Sequence, residues 1–160
     1  MSSSSFKRSY NYLVEIEPRI RQFIEAHRVA HLATANAEGL PSVIPICYAF
    51  PGGAFYSAID EKPKTISSSR LQRIRNIQSN PNAAIVIDDY SEDWEALAYL
   101  HVRCLAEILE PGTTQEHSSA IAALRARYPQ YGSMHIEARP VIKLIPQRLR
   151  FWSAQKEEKE

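Results

Sequence analysis

Two periods organise the apolar positions of this chain, and they predict six strands and three helices. Glu17-Pro18 opens the first helix, because proline is favoured at the first helical position. Ile20, Phe23 and Ile24 then fall on one face. Val29–Ala35 reads as the first strand, and Asn36–Gly39 as a turn. The second strand runs over Leu40–Phe50, where Ser42, Ile44, Ile46, Tyr48 and Phe50 alternate with Val43, Pro45, Cys47 and Ala49. Pro45 offers no N–H to a ladder, so this strand is an edge or is bulged there. Pro51-Gly52-Gly53 turns the chain into a third strand, Ala54–Ile59.

A loop over residues 60–67 leads to a helix predicted from Ser69 to Ser79. Leu71, Ile74 and Ile77 line one side of it, and Ser69 with Gln72 has capping-box spacing. Asn80-Pro81 stops it. Ala83–Asp89 is the fourth strand, the acidic SEDWEAL stretch a loop with one helical turn, and Tyr99–Leu109 the fifth strand. Thr113 and Glu116 make a second capping box, opening a helix to Tyr128 that turns Ala120, Ile121, Leu124 and Tyr128 inward. Val141–Trp152 is the sixth strand. The elements predict a mainly β fold with flanking helices, a six-stranded antiparallel Greek-key barrel. They form one domain over residues 15–154. A flexible, Ser-rich segment (1–14) precedes it and a disordered charged tail (155–160) follows.

Composition narrows the function classes. A chain of 160 residues is long enough to bury about 70% of its unfolded surface. Its net charge is +1, so no global field recruits nucleic acid or an acidic membrane, and any anion site must be local. Cys47 and Cys104 are isolated, without CxxC spacing, which argues for reduced thiols that pack in strands and against a zinc site or a disulfide framework. No apolar run approaches the ~20 residues of a membrane span. The N-terminus lacks the apolar region of a signal peptide. A cytoplasmic protein is expected.

The strongest chemical signal is a run of positive charge. Lys62, Lys64, Arg70, Arg73 and Arg75 occupy a loop and the helix after it, with Ser67, Ser68 and Ser69 adding hydroxyl donors. Loop side chains and free helix N–H groups can converge on a phosphate there. A solvated helix face explains the same residues about equally well. None of the five histidines sits at metal-ligand spacing. No nucleophile elbow, P-loop or dinucleotide fingerprint is present. Asp88 and Asp89 read as part of a solvated acidic loop. Alternation puts Arg148, Arg150 and Trp152 on one face of the last strand. There the tryptophan closes the barrel or packs a dimer, or the Arg/Trp pair covers a flat cofactor.

In order along the chain, RVAHLAT…G.P…P..Y, FYSAIDEKPK and RLQRIRNIQSNPNAAIVIDDY resemble the pyridoxamine-phosphate-oxidase-like flavin-binding split-barrel family. The DEKPK loop and the RIRNI..NP helix are most similar to its branch of deazaflavin-coenzyme-dependent oxidoreductases. The resemblance covers roughly residues 20–153. It implies a six-stranded split barrel that forms a homodimer, with FMN or the deazaflavin coenzyme in a groove between subunits. By the same resemblance, Lys62, Lys64, Arg70 and Arg73 hold the cofactor phosphate and Ser57 meets the ribityl chain. Val43, Ile44, Pro45 and Ile46 run past the isoalloxazine ring, and Trp152 approaches from the last strand of the other subunit. RLRFW lacks the histidine that accompanies the substrate-binding arginine of true pyridoxamine phosphate oxidases, which argues against that substrate.

The expected function is an FMN- or deazaflavin-dependent oxidoreductase moving a hydride to or from a small organic molecule. The cofactor supplies the redox chemistry, and no catalytic side chain or metal ligand stands out. The alternative is a non-catalytic protein that binds, stores or senses FMN or haem.

Overall fold

The computed structural model describes residues 14–60 and 71–155. The segments expected to be flexible or disordered, 1–14 and 155–160, lie outside it apart from Val14 and Gln155. Helix α1 (Pro18–Ala26) leads into β1 (Val29–Ala35), β2 (Pro41–Cys47) and β3 (Phe55–Ala58). Helix α2 (Gln72–Ser79), β4 (Asn82–Asp89), β5 (Ala98–Leu109), α3 (Gln115–Arg127) and β6 (Val141–Ser153) follow. A single 3₁₀ turn, Trp94–Ala96, interrupts the acidic connection, and two more bridge α3 and β6.

All strand pairs are antiparallel, in the order β2-β1-β4-β5-β6-β3. Pro45 therefore lies on an edge strand, as its missing N–H requires, opposite His31. The Asn36–Gly39 turn is fixed by the Asn36 side chain, whose Oδ1 accepts from the N–H groups of Glu38 (3.0 Å) and Leu40 (2.9 Å). Gly39 takes a φ of 84°, which a side chain would strain.

The sheet curls until its two edges almost meet. Ala49, just beyond β2, exchanges two backbone hydrogen bonds of 2.9 Å with Tyr56 on β3. Past that bridge the edges diverge, which makes the barrel split. The second strand is shorter than its alternation predicts and ends at Cys47. The alternation itself continues past Cys47: Tyr48 and Phe50 pack in the sheet interior and Ala49 packs on the opposite face, with Ala120 and Leu124 of α3. What ends β2 is its pairing: Ala49 exchanges its hydrogen bonds with Tyr56 of β3 in place of β1. A tyrosine hydroxyl replaces the missing ladder there. Tyr128 Oη accepts from Tyr48 N–H at 3.0 Å and lies 2.7 Å from the carbonyls of both Tyr48 and Arg28.

The core falls into two parts. The sheet interior, with Leu32, Phe55, Ile85, Ile87, Leu100 and Leu144, packs against Ile24 of α1 and Ile74 and Ile77 of α2. The second part packs Ala120, Ile121 and Leu124 of α3 with Tyr128, Tyr131, Ile136 and Val141, so the predicted inward face of α3 is the observed one.

Both capping boxes need correction. The cap of α3 is Thr114, whose Oγ1 accepts from His117 N–H, while Thr113 donates to the Glu110 carbonyl at 2.7 Å. Helix α2 starts at Gln72 because Leu71 has an extended backbone. The Gln72 amide does not reach back to a cap; it donates to Asn76 Oδ1 at 2.7 Å. Ser69 lies outside the described residues.

Candidate functional site: a groove at the split of the barrel

Where the edges separate, a groove of about 340 Å³ opens. One wall is the edge strand: Ile44, Pro45, Ile46 and Cys47, with Val29 beside them. The opposite wall is the end of β3, Ser57 and Ala58, continuing to Asp60. Arg73 of α2 and Tyr131, from the 3₁₀ turn after α3, complete the lining. The volume falls in the ordinary range of small-molecule pockets, roughly 300–1,000 Å³.

Each wall is positioned by a local constraint. Ser57 pairs with Ile142 of β6 and is buried. Arg73 is held by the rotation of α2 about its axis. Ile74 and Ile77 anchor that helix on the core, and the buried Asn76 donates its amide to Thr34 Oγ1 of β1 at 3.0 Å. Gln72 donates to Asn76 in turn, so this buried polar chain keeps its hydrogen bonds inside the protein. Tyr131 packs edge-on against Tyr128, with ring centroids 5.6 Å apart.

Among the described residues, charge in the groove is sparse and directional. Burial lowers the Arg73 guanidinium from its ordinary range and the Asp60 carboxylate opposes that shift, leaving a half-buried cation with one nearby anion. Burial raises the Tyr131 hydroxyl above the usual phenol range, and Cys47 and Asp60 add to the effect, so Tyr131 remains a neutral hydrogen-bonding group. The walls at Val29, Ile44, Pro45, Ile46 and Ala58 are apolar. An apolar slot with a cation at one end suits a flat ring that carries an anionic tail.

Five of the residues singled out from sequence, Ile44, Pro45, Ile46, Ser57 and Arg73, come together here. Val43 does not line the groove; it pairs with Ala33 and is 63% exposed. Trp152 is also elsewhere in the chain, on the outward face of β6, stacked on Tyr99 with centroids 5.6 Å apart. Lys62, Lys64 and Arg70 lie outside the described residues. Five lining residues escaped sequence reasoning: Val29, Cys47, Ala58, Asp60 and Tyr131. Asp60 and Tyr131 belong to irregular segments whose position no periodicity reports. Cys104 behaves as expected of a packed strand thiol, and both cysteines are free.

The histidines serve other contacts. His27 meets Asp89 at 2.7 Å, His31 meets Asp88 at 3.7 Å, and buried His117 lies 2.8 Å from the Arg139 carbonyl. Among the described residues no three metal-ligating side chains converge, and no helix is long and apolar enough to cross a membrane.

Residues 16–153 match the family model described as pyridoxamine 5'-phosphate oxidase. No curated protein matches the chain. Among solved structures it is similar to the conserved hypothetical protein Rv2991 from Mycobacterium tuberculosis, with TM-score 0.72 and 18% identity over 92% of this chain and 90% of that one. It is also similar to HutZ, the heme storage protein from Vibrio cholerae, with TM-score 0.68 and 18% identity over 87% of this chain and 94% of that one. An F420 reductase superimposes with TM-score 0.59 and 24% identity over 81% of this chain and 94% of that one. At such identities the likeness speaks to the fold.

Proposed function

This chain belongs to the pyridoxamine 5'-phosphate oxidase family, and from that premise we propose that it is a flavin- or deazaflavin-dependent oxidoreductase acting on a small organic molecule in the cytoplasm. The observation that carries the reading is the groove. Its apolar wall at Ile44–Ile46 suits the face of a tricyclic ring, Ser57 suits a polyol chain, and Arg73 suits a phosphate. Lys62, Lys64 and Arg70 join Arg73 as phosphate ligands in this proposal. Trp152, and Val43 on the exposed edge, reach the cofactor of the second subunit of a homodimer.

The bound cofactor would supply hydride transfer. The chain's own residues orient the ring, hold the tail and exclude water; Tyr131 and Ser57 offer neutral hydroxyls to the groove. The F420 reductase neighbour favours the deazaflavin coenzyme. The heme storage neighbour makes haem the competing ligand.

The test is an absorbance spectrum of the protein purified from its native host, followed by mass spectrometry of the released cofactor. A flavin or deazaflavin band with the matching mass supports the reading. A Soret band, with no affinity for FMN or the deazaflavin coenzyme in titration, refutes it.

A further inference from the structure

Among the described residues, the groove holds one group of each sign, and the two are not paired with each other. Asp60 and Arg73 both line it, and both are half-buried. Among the described residues neither side chain makes a hydrogen bond or an ion pair. The Asp60 charge is nonetheless felt inside the groove. Burial shifts both Arg73 and Tyr131, and the carboxylate acts on each: it holds back the fall of the guanidinium and adds to the rise of the phenol. A partly desolvated acceptor and a partly desolvated donor therefore face the same space without partners, and each gains from a ligand that supplies one.

The two groups ask for different chemistry. An ionised carboxylate accepts hydrogen bonds and donates none; a guanidinium donates and accepts none. A ligand that satisfies both brings an anion to Arg73 and hydrogen-bond donors to Asp60, with a ring against the apolar wall at Ile44, Pro45 and Ile46. FMN and the deazaflavin coenzyme carry such donors, the hydroxyls of the ribityl chain between ring and phosphate. Haem carries none: its polar groups are two carboxylates, which offer Asp60 no proton and meet it as like charges. Ser57 stands on the same wall as Asp60. Its hydroxyl both donates and accepts, so it does not choose between the two ligands. Asp60 does.

We propose that Asp60 is a specificity-determining residue of the groove: its carboxylate accepts hydrogen bonds from the hydroxyls of a ribityl chain and so selects a ligand with a hydroxylated tail over haem. This role rests on the flavin reading of the groove and adds to it the residue that separates the two competing ligands. Hydrogen bonds to an ionised group are the stronger kind. A site built to bond a ligand hydroxyl also rejects an analogue that lacks it, because the site's own polar group is then left unpaired. Repulsion of haem carboxylates adds a second, unfavourable element against the wrong ligand.

The test titrates the full-length protein with riboflavin, with lumiflavin, in which a methyl group replaces the ribityl chain, and with haemin. None of the three carries a phosphate, so the phosphate contact of Arg73 does not enter the comparison. The parent should bind riboflavin about tenfold or more tighter than lumiflavin, as for one hydrogen bond to a charged group. Asp60→Ala should weaken riboflavin by about that factor, and Asp60→Asn by less, since it keeps one acceptor oxygen. Both variants should hold lumiflavin as the parent does, which shows that the groove is still folded, and should bind haemin no more weakly. A parent without the preference for riboflavin overturns the proposal, a measurement that needs no variant. So does a preference as large in both variants as in the parent; either result leaves the flavin reading standing. Haemin affinity that falls in both variants also overturns it, because Asp60 then holds haem. A parent that binds haemin and neither flavin overturns it together with the flavin reading.

Discussion

Replacing Tyr128 by Phe isolates the hydroxyl that stands in for the broken end of β2. The ring would stay: it is buried against Tyr131, and the guanidinium groups of Arg28 and Arg127 lie over it at 5.7 and 5.8 Å. What disappears is the acceptor for Tyr48 N–H and a donor shared by the Tyr48 and Arg28 carbonyls. Arg28 is exposed, so water can replace the contact to its carbonyl. Tyr48 is fully buried, so its N–H is left without a partner. An orphaned buried donor costs about 1–3 kcal/mol. For a domain of this size each kcal/mol moves the midpoint by roughly 2–4 °C. Near the middle of that range, about 2 kcal/mol, Tyr128→Phe should melt about 4–8 °C lower, read by calorimetry or circular dichroism. Hydrogen exchange gives the local readout: the Tyr48 amide should lose protection while the amides in the middle of β5 keep theirs at matched native conditions. A midpoint within about 1 °C of the parent, with Tyr48 still protected, would refute the claim that this hydroxyl replaces a strand partner.

Other perturbations address the site and the core. Arg73→Gln should weaken FMN binding by roughly tenfold to a hundredfold and leave riboflavin, which lacks the phosphate, nearly unaffected; the same contrast is expected for Lys64→Ala and Arg70→Ala. Equal losses for both ligands would remove Arg73 from the phosphate site. Burial pushes the Cys104 thiol from 9.0 up to about 12. The unfolded chain therefore releases this proton first, and the contribution is fully present below about pH 9 and lost as pH climbs toward about 12. Cys104→Ala should flatten that alkaline loss in denaturant titrations, and in the parent this thiol should resist a thiol reagent until the chain unfolds. Finally, sedimentation at micromolar concentration should give the mass of a dimer, since obligate interfaces bury well over ~2,000 Å²; a single-chain mass would remove Trp152 from the cofactor site.

Much of the fold follows from local pattern. Alternation locates all six strands to within a few residues. Pro45 marks an edge because a proline has no N–H to share, and Asn36 with Gly39 closes the first hairpin through contacts four residues apart or less. The apolar face of α3 is visible in its spacing because each inward residue needs the same side of one cylinder. The order of the motifs RVAHLAT, FYSAIDEKPK and RIRNI carries the family, and Ile44, Pro45, Ile46, Ser57 and Arg73 were recognisable through it.

The tertiary structure decided where those faces meet. Period two says which side of a strand a residue takes, but not where the strand stops. β2 stops where Ala49 turns to pair with Tyr56 and a tyrosine eighty residues away supplies the hydrogen bonds of Tyr48. That break sets the split, and the split makes the groove. Asp60 and Tyr131 reach it from irregular segments, and Trp152 lies apart from it within the chain, on the outer face of β6. The cap of α3 moved by one residue because two adjacent threonines compete and only the backbone geometry separates them. The arginines of β5 and β6 converge only through pairing between strands, since Arg103 and Arg148 become neighbours by register and not by sequence. Local chemistry is written along the chain, whereas the meeting of distant edges depends on the curl of the whole sheet.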